Sequence, residues 1–205
     1  MCRILAIMTV VFSGVVFAAE EPVLSVEQGV DKKTVCIACH NIDGNSTTPI
    51  WPKISGQPVK YFVEQMREFQ KGQEGKRFDP SMFGMVQNLT EEDFTEMAEY
   101  YAAQTTTIGE VPEQWVSLGE KIYRGGIASA GVAACSGCHN PNGIGNDPAG
   151  FPRLSGQHPD YVMTQLKKFK SGERTNDPNG MMQDIAKRLT EEQIEAIAHY
   201  VSGLY

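Results

Sequence analysis

Two short motifs contain the side chains whose types and spacing are best suited to chemistry. They are Cys36–His40, with the sequence CIACH, and Cys135–His139, with the sequence CSGCH. Two thiols one helical turn apart can add to the two vinyl groups of a haem, and the adjacent imidazole can reach the iron from the same side. The motifs therefore predict two covalently bound haem c groups. The anchoring cysteines would be Cys36, Cys39, Cys135 and Cys138, and the iron-ligating histidines would be His40 and His139.

Closely spaced cysteines also occur in thioredoxin-like redox pairs and in four-thiolate zinc sites. A thioredoxin motif requires a βαβ setting, which the pattern of this chain does not provide. A zinc site would use the thiols and leave both histidines unexplained. The haem interpretation is favoured because the whole motif occurs twice, in matched positions of a duplicated chain.

The duplication is visible as an internal repeat. Residues 51–57 (WPKISGQ) match residues 151–157 (FPRLSGQ) at an offset of 100, and the sequence LTEE at 89–92 returns at 189–192. A period near 100 is too long for a solenoid unit, so it predicts two homologous domains. The predicted organisation is a signal peptide at 1–18, a first domain at 19–103, a linker at 104–113 and a second domain at 114–205.

Both domains are predicted to be helical, which makes the chain all-α. Thr90 and Thr190 are suited to cap helices whose apolar residues recur at i, i+3, i+4 and i+7. An earlier helix is predicted in each domain, at 61–70 and at 161–170. Loops rich in Gly, Asn and Pro are predicted at 41–58 and 140–159. Small domains with so much loop need something bulky and apolar in the core, which a haem would supply.

The iron of each haem needs either a sixth ligand or an open face, and several methionines compete for that position. They are Met82, Met85, Met181 and Met182. The repeat distinguishes them, because only Met82 and Met182 lie seven residues before the repeated leucine of their domain. The predicted axial pairs are His40 with Met82 and His139 with Met182.

A methionine sulfur is a soft, neutral ligand that favours ferrous iron and leaves no vacant position for a substrate. Such a site is typical of an electron carrier, so no catalytic residues are expected. A dihaem peroxidase would need an iron face freed from methionine.

The remaining histidines, His158 and His199, have no histidine at the equivalent place in the first domain. They are therefore expected to be surface or hydrogen-bonding residues. A proline and a base stand together in each loop, at 52–53 and at 152–153. The proline carbonyl could accept from the histidine ring and the base could face a haem propionate. A simple turn with solvated bases is the alternative.

The composition narrows the classes of protein. With 205 residues and 41% apolar residues the chain can bury a core, which excludes disorder, and its net charge of −7 argues against nucleic acid as the main partner. An apolar run at 4–16 follows Arg3 and precedes a cleavage site ending at Ala18, so a secretory signal is predicted. Cys2 would leave with that signal. A retained anchor is disfavoured because a bilayer span needs about 20 residues.

The two domains differ in charge. Residues 20–103 have 8 basic and 14 acidic side chains, a net charge of −6, whereas residues 104–205 have 9 and 11, a net charge of −2. Negative surroundings stabilise ferric over ferrous haem, so the lower reduction potential is expected in the N-terminal domain. Bases of the second domain could form a docking patch, although a solvated helix face is the simpler interpretation. They are Lys167, Lys168, Lys170, Arg174, Lys187 and Arg188.

Several short segments of the mature chain are specific enough to be compared with a known family: Cys135–His139, 142–147 (NGIGND), 150–152 (GFP), 156–158 (GQH) and 174–177 (RTND), with 44–46 (GNS) and 52–53 (PK) in the first domain. In these segments the chain resembles the dihaem cytochrome c4 family of bacteria. The resemblance implies two tandem class I cytochrome c folds related by a pseudo-twofold axis. Each fold would be wrapped around one covalent haem, with the propionates near the domain interface.

The resemblance also implies a function. It implies a periplasmic respiratory electron carrier that receives electrons from a quinol-oxidising cytochrome complex and donates them to a haem–copper terminal oxidase. The alternative is the electron-accepting cytochrome subunit of a periplasmic dehydrogenase, such as a sulfide-oxidising flavoprotein. Neither function involves nucleic acid, and membrane association is expected to be at most peripheral.

Overall fold

The structure of the protein is a computed structural model that describes residues 34–205. The predicted signal peptide, Cys2 and residues 19–33 lie outside the described residues. Within the described residues the chain is helical, with isolated bridges and no longer strand, and no helix is long and apolar enough to cross a bilayer. The helices are α1, whose described part covers 34–40, α2 (Val59–Gln70), α3 (Pro80–Val86), α4 (Glu91–Ala102), α5 (Glu113–Gly125), α6 (Ser136–His139), α7 (Pro159–Ser171), α8 (Met181–Lys187) and α9 (Glu191–Ser202).

Two hydrophobic cores divide these helices between the halves of the chain. In the first core, α2 packs on α4 through side chains that include Phe62 and Phe94. In the second core, α5 and α7 both pack on α9, and the buried side chains include Ile122, Leu166 and Ile194. The pairs α2/α4 and α7/α9 are the structural counterpart of the sequence repeat. This architecture confirms the all-α prediction.

The last helix of each half begins with a capping box, as the two threonines predict. The Thr90 side chain accepts from the N–H of Asp93, and the Asp93 carboxylate accepts from the N–H of Thr90 at 2.8 Å. Thr190 and Gln193 make the same reciprocal pair. The other two predicted helices, α2 and α7, are present, and each begins two residues earlier than predicted.

Helix α5 is not predicted by the sequence pattern, although Leu118 and Ile122 stand at helical spacing. The usual sequence signals of a helix are missing, because no side chain caps its first turn after Pro112 and because Gly119 lies in its middle. Packing requires this glycine, since a Cβ at Gly119 would lie 2.4 Å from the Cβ of Tyr200. Helices α5 and α9 therefore approach more closely than any larger residue would allow.

The residues between α4 and α5 contact both halves. Thr106 donates its hydroxyl hydrogen to the Ser55 carbonyl in the first half, at 2.8 Å. The N–H of Gly109 donates to the Ser202 carbonyl in the second half, also at 2.8 Å. The segment predicted as a linker, 104–113, is therefore tied by hydrogen bonds to both cores.

Candidate haem sites

Each cysteine motif lies on a short helical segment at the edge of one core. Cys36 and Cys39 are on α1, and Cys36 contacts the first core. Cys135 directly precedes α6, contacts the second core, and accepts the N–H of His139 through its carbonyl at 2.9 Å. Cys138 is exposed, whereas the other three thiols are half-buried. Both motifs thus present their cysteines along one turn of helix, as attachment to a haem requires.

The surroundings of two of the four thiols bear on the thioredoxin-like alternative. Burial, together with the neighbouring Cys39, raises the pKa of Cys36 to about 11. Burial also raises the pKa of Cys135 to about 11. Reactive redox cysteines have a lowered pKa instead. Within residues 34–205, no three His, Cys, Asp or Glu side chains are grouped as ligands of a bare metal ion would be. This geometry favours neither a thioredoxin-like pair nor a zinc site.

His40 and His139 are buried, and their rings are held in one tautomer. The Nδ1 atom of His40 lies 2.7 Å from the carbonyl oxygen of Pro52, and that of His139 lies 2.9 Å from the carbonyl oxygen of Pro152. A carbonyl oxygen can only accept, so Nδ1 bears the proton and Nε2 keeps its lone pair. Burial lowers the pKa of both histidines, which favours the neutral ring of a metal ligand. The predicted role of the two proline carbonyls is confirmed.

The short helices α3 and α8 present the methionines. Met82 is half-buried against the first core, which Cys36 also contacts, and Met182 is half-buried against the second core. Met85 and Met181, in contrast, are 48% and 38% exposed. In each half, the methionine in the repeat register therefore packs against the core at the cysteine motif, together with Met66 and Met97 in the first half and Met163 in the second.

The two other histidines make structural contacts. The Nε2–H of His158 donates to the carbonyl oxygen of Ser46 at 2.8 Å, which links the two halves. His199 stacks on Trp115, with the ring centroids 6.0 Å apart. Their contacts match the hydrogen-bonding and surface roles expected for them.

A reciprocal pair of buried glutamines joins the two halves. The Oε1 atom of Gln157 accepts from the backbone N–H of Lys53 at 2.9 Å, and its Nε2 donates to the Lys53 carbonyl at 2.8 Å. Gln57 makes the same two bonds with the backbone of Arg153, at 3.1 and 2.9 Å. Each glutamine therefore bonds the residue that directly follows the histidine-binding proline of the other half.

Lys53 and Arg153 are not freely solvated. Lys53 is 9% exposed, and its Nζ donates to the Thr107 carbonyl at 2.7 Å. Arg153 is half-buried and donates to the carbonyl and the hydroxyl of Ser155, at 3.2 and 3.1 Å. Burial lowers the pKa of both side chains. The alternative of a simple turn with solvated bases is therefore wrong.

Two buried arginines form a second reciprocal contact between the halves. Arg77 and Arg174 are 7% and 6% exposed, and each guanidinium lies over a core phenylalanine, 4.5 and 4.4 Å from the ring centroid. Arg77 donates to the hydroxyl of Tyr161, and Arg174 donates to the hydroxyl of Tyr61 at 3.1 Å. Both guanidinium groups also donate to the Oε1 atom of Gln65. Burial and the nearby Arg77 lower the pKa of Arg174.

The surroundings of these arginines fit a haem. Among residues 34–205, their charged and hydroxyl neighbours are tyrosines and each other, and no carboxylate forms an ion pair with either guanidinium. A buried charge without a counter-ion is strongly unfavourable. A haem has two propionates, whose carboxylates would supply the missing negative charges. The fixed histidine tautomers and the half-buried methionines fit the same group.

The predicted docking patch is divided by the structure. Arg174 does not belong to it, because that side chain is buried between the halves. Ion pairs with acidic side chains of the same half are made by Lys167, Lys168, Lys170 and Arg188. Much of the positive charge is therefore balanced locally, as the simpler interpretation of a solvated helix face expects.

The sequence repeat does not show that Arg77 and Arg174 are equivalent residues of the two halves. A constant offset of 100 places Arg174 opposite Glu74. Four residues separate Gly72 from Arg77, whereas one residue separates Gly172 from Arg174. Four residues separate Arg77 from Met82, whereas seven separate Arg174 from Met182, so the offset of 100 is restored at the methionines. The sequence feature that could identify the two equivalent arginines is an arginine that follows Gly72 or Gly172. The number of residues between the glycine and the arginine differs between the halves.

Comparisons with known proteins agree with this geometry. The family model described as Cytochrome c matches residues 117–204. A cytochrome c4 from Azotobacter vinelandii is 44% identical over 184 residues, which cover 86% of this chain and 88% of that protein. The crystal structure of reduced recombinant cytochrome c4 from Pseudomonas stutzeri matches with a TM-score of 0.84 and 40% identity, covering 88% of this chain and 98% of that one. A thiosulfate dehydrogenase electron acceptor from Thiomonas intermedia is 32% identical over 172 residues, which cover 82% of this chain and 77% of that protein.

Proposed function

The chain belongs to the cytochrome c4 family of dihaem electron carriers, and from that premise we propose that it works in a periplasmic respiratory chain. It binds two haem c groups and transfers electrons. In the proposed role, a cleaved signal peptide directs export, a quinol-oxidising cytochrome complex supplies the electrons, and a haem–copper terminal oxidase accepts them. The protein itself would turn over no substrate.

We assign the axial ligands of the two irons to His40 with Met82 and to His139 with Met182. When bound, each haem supplies an iron that takes up and releases one electron. The proline carbonyl accepts a hydrogen bond from the Nδ1–H of each histidine, so Nε2 keeps the lone pair that would bind the iron. The methionine sulfur would occupy the sixth position and would favour the ferrous state, which suits a carrier. The observation that carries this proposal is the repetition of a buried, proline-bonded histidine and a half-buried methionine in both halves.

We assign Arg77 and Arg174 to the haem propionates. Their guanidinium groups are buried, and the described residues offer them hydroxyl and amide acceptors in place of a carboxylate. Charge-assisted hydrogen bonds from a guanidinium to a carboxylate are among the stronger ones in proteins. With this assignment, the interface between the halves also balances the charge of the cofactors.

The proposed electron acceptor can be tested with membranes that contain the haem–copper oxidase of the host organism. Ascorbate-reduced protein is mixed with these membranes, and the visible band of the ferrous haems is followed together with oxygen consumption. Cyanide-sensitive reoxidation that is coupled to oxygen uptake supports the proposal. Reoxidation no faster than that in air alone contradicts it.

A second candidate function is electron acceptance from a periplasmic dehydrogenase, and the Thiomonas intermedia relative is the observation that favours it. In that role the protein would be a partner or subunit of an enzyme such as a thiosulfate dehydrogenase or a sulfide-oxidising flavoprotein. Copurification from native periplasm distinguishes the two functions. A stoichiometric dehydrogenase that reduces both haems with its own substrate would favour the second function, whereas isolation as a free protein would favour the first.

A further inference from the structure

We propose that each half of the protein tunes the iron-ligating histidine of the other half through a hydrogen-bond chain. The Pro52 carbonyl and the Lys53 N–H belong to one peptide group. That group accepts from Nδ1 of His40 at 2.7 Å and donates to Oε1 of Gln157 at 2.9 Å. A histidine of the first half is thus connected, through one peptide, to a side chain of the second half.

An equivalent hydrogen-bond chain runs in the opposite direction, from a histidine of the second half to a glutamine of the first half. The peptide between Pro152 and Arg153 accepts from Nδ1 of His139 at 2.9 Å and donates to Oε1 of Gln57 at 3.1 Å. Both hydrogen-bond chains cross the interface, because each glutamine is connected to the histidine of the other half and not to the histidine of its own half. The inference rests on the axial roles proposed above for His40 and His139.

The orientation of the glutamines is fixed by their other hydrogen bonds. The Nε2 atom of Gln157 donates to the Lys53 carbonyl at 2.8 Å, and its Oε1 also accepts from the N–H of His158 at 3.0 Å. The Nε2 atom of Gln57 donates to the Arg153 carbonyl at 2.9 Å. An amide that must donate to a carbonyl and accept from an N–H can stand in only one orientation. Both glutamines therefore act as acceptors at the end of the chain.

The chain has a definite electronic consequence. Hydrogen bonds in series polarise one another, and the effect is larger in a buried, low-dielectric interface. When glutamine accepts the peptide N–H, the proline carbonyl becomes a better acceptor and draws the Nδ1 proton more strongly. The imidazole then donates more electron density through Nε2, which stabilises ferric iron and lowers the potential. Gln57 and Gln157 are positioning residues that act through the peptide.

The experiment replaces one glutamine at a time with a residue of similar length that cannot make the bonds. In the holoprotein, Gln157→Met should raise the ferrous-to-ferric ratio of the N-terminal haem about two- to fourfold at a fixed potential, a rise in midpoint potential of about 18–35 mV at 59 mV per tenfold. Gln57→Met is the matched control and should shift the C-terminal haem instead. The potentials are followed by redox titration, with NMR resonances of each haem assigned to its own domain.

A second measurement keeps the test decisive if a variant loosens the interface. In the ferrous, diamagnetic protein, the Nδ1–H resonance of His40 reports on the chain directly. It should move upfield in Gln157→Met, because its hydrogen bond weakens, and should stay unchanged in Gln57→Met. In Gln157→Glu, which keeps an acceptor for Lys53, the potential of the N-terminal haem should fall instead of rising.

The proposal is overturned if each substitution shifts mainly the haem of its own half, or if both substitutions shift both haems alike. Opposite signs for the Met and Glu variants at position 157 are also required. Spectra of the unmodified protein separate this failure from that of the proposed function. If those spectra lack two histidine–methionine haems, the axial assignment is wrong and the inference falls with it.

Discussion

The two halves of the molecule present the same set of candidate ligands in different surroundings. Residues 20–103 have a net charge of −6, and residues 104–205 have a net charge of −2. The loop after the first motif exposes Ile42 and Ile50 at 64% and 69%, whereas Ile144 after the second motif is 43% exposed. Because the proposed ligands are the same, any difference in redox behaviour must come from charge, solvent contact and hydrogen bonding around them.

The hydrogen bonds at the interface also involve equivalent residues of the two halves and differ in detail. The Oε1 atom of Gln65 accepts from Arg77, from Arg174 and from Asn176, whereas that of Gln165 accepts from Arg174. The contacts are reciprocal in type and unequal in number. Duplication thus preserves the elements that present the candidate haem ligands, while the contacts between the halves have diverged.

The largest expected effect is the loss of an axial ligand. Met82→Ala or Met182→Ala should remove about half of the far-red charge-transfer band of the ferric protein, because one of two haems loses its sulfur ligand. Optical spectra of the ferric variants measure this. Met85→Ala and Met181→Ala are the matched controls and should keep the full band. If a control loses the band instead, the register of the repeat is wrong in that half.

Removal of one interface arginine should have the next largest effect. Arg174→Gln leaves a propionate buried without its cation, so the free energy of unfolding should fall by about 3–5 kcal/mol. The unpaired propionate should bind a proton more readily, so the potential of at least one haem should fall as the pH rises. Denaturant titration and redox titration at several pH values test both effects.

Arg77→Gln tests the equivalent arginine of the first half and should have the same effects as Arg174→Gln. Arg67→Gln is the control for both variants. Arg67 pairs with Glu91 at the surface, where its side chain is 49% exposed. Loss of that pair should leave the potentials almost unchanged. If Arg67→Gln and Arg174→Gln have similar effects, the buried arginines do not face the propionates.

A smaller effect is expected at the helix caps, where the halves should behave alike. Thr90→Ala and Thr190→Ala each remove one side of a capping box, and each should lower the free energy of unfolding by about 1 kcal/mol. Denaturant unfolding followed by circular dichroism measures the change. A loss in one half several times that in the other would show that the two scaffolds are not equivalent.

The smallest effect concerns salt. The long-range part of the charge difference between the halves should be screened when the Debye length falls from about 30 Å at 0.01 M to about 3 Å at 1 M salt. The gap between the two reduction potentials should narrow accordingly in redox titrations. If the difference between the two reduction potentials does not change with salt, it arises from contacts within the interface and not from long-range charge.

Local features of the sequence predict the elements that hold the site. The capping threonines predict the starts of α4 and α9. The proline beside each base predicts the bond to the histidine ring. These predictions succeed because each depends on residues that are close in the chain or equivalent in the repeat.

Contacts between distant residues are not predicted in this way. The bonds of Gln57 to Arg153 and of Gln157 to Lys53 join residues 96 and 104 positions apart, and a glutamine in a loop has no local pattern that marks it as an interface residue. The pairing of the two arginines is hidden by loops of different length. Helix α5 is hidden by Gly119, whose presence makes sense only once Tyr200 is seen against it.

In the proposed function, two equivalent histidine–methionine haems differ in reduction potential because their surroundings differ. A redox titration of the holoprotein, in which NMR resonances assign each step to one domain, measures this difference. Two one-electron steps are expected, with the N-terminal haem at the lower potential and both ferrous haems unable to bind carbon monoxide. A lower potential at the C-terminal haem would show that charge does not set the order of the potentials, and carbon monoxide binding at either haem would show that a methionine ligand is missing.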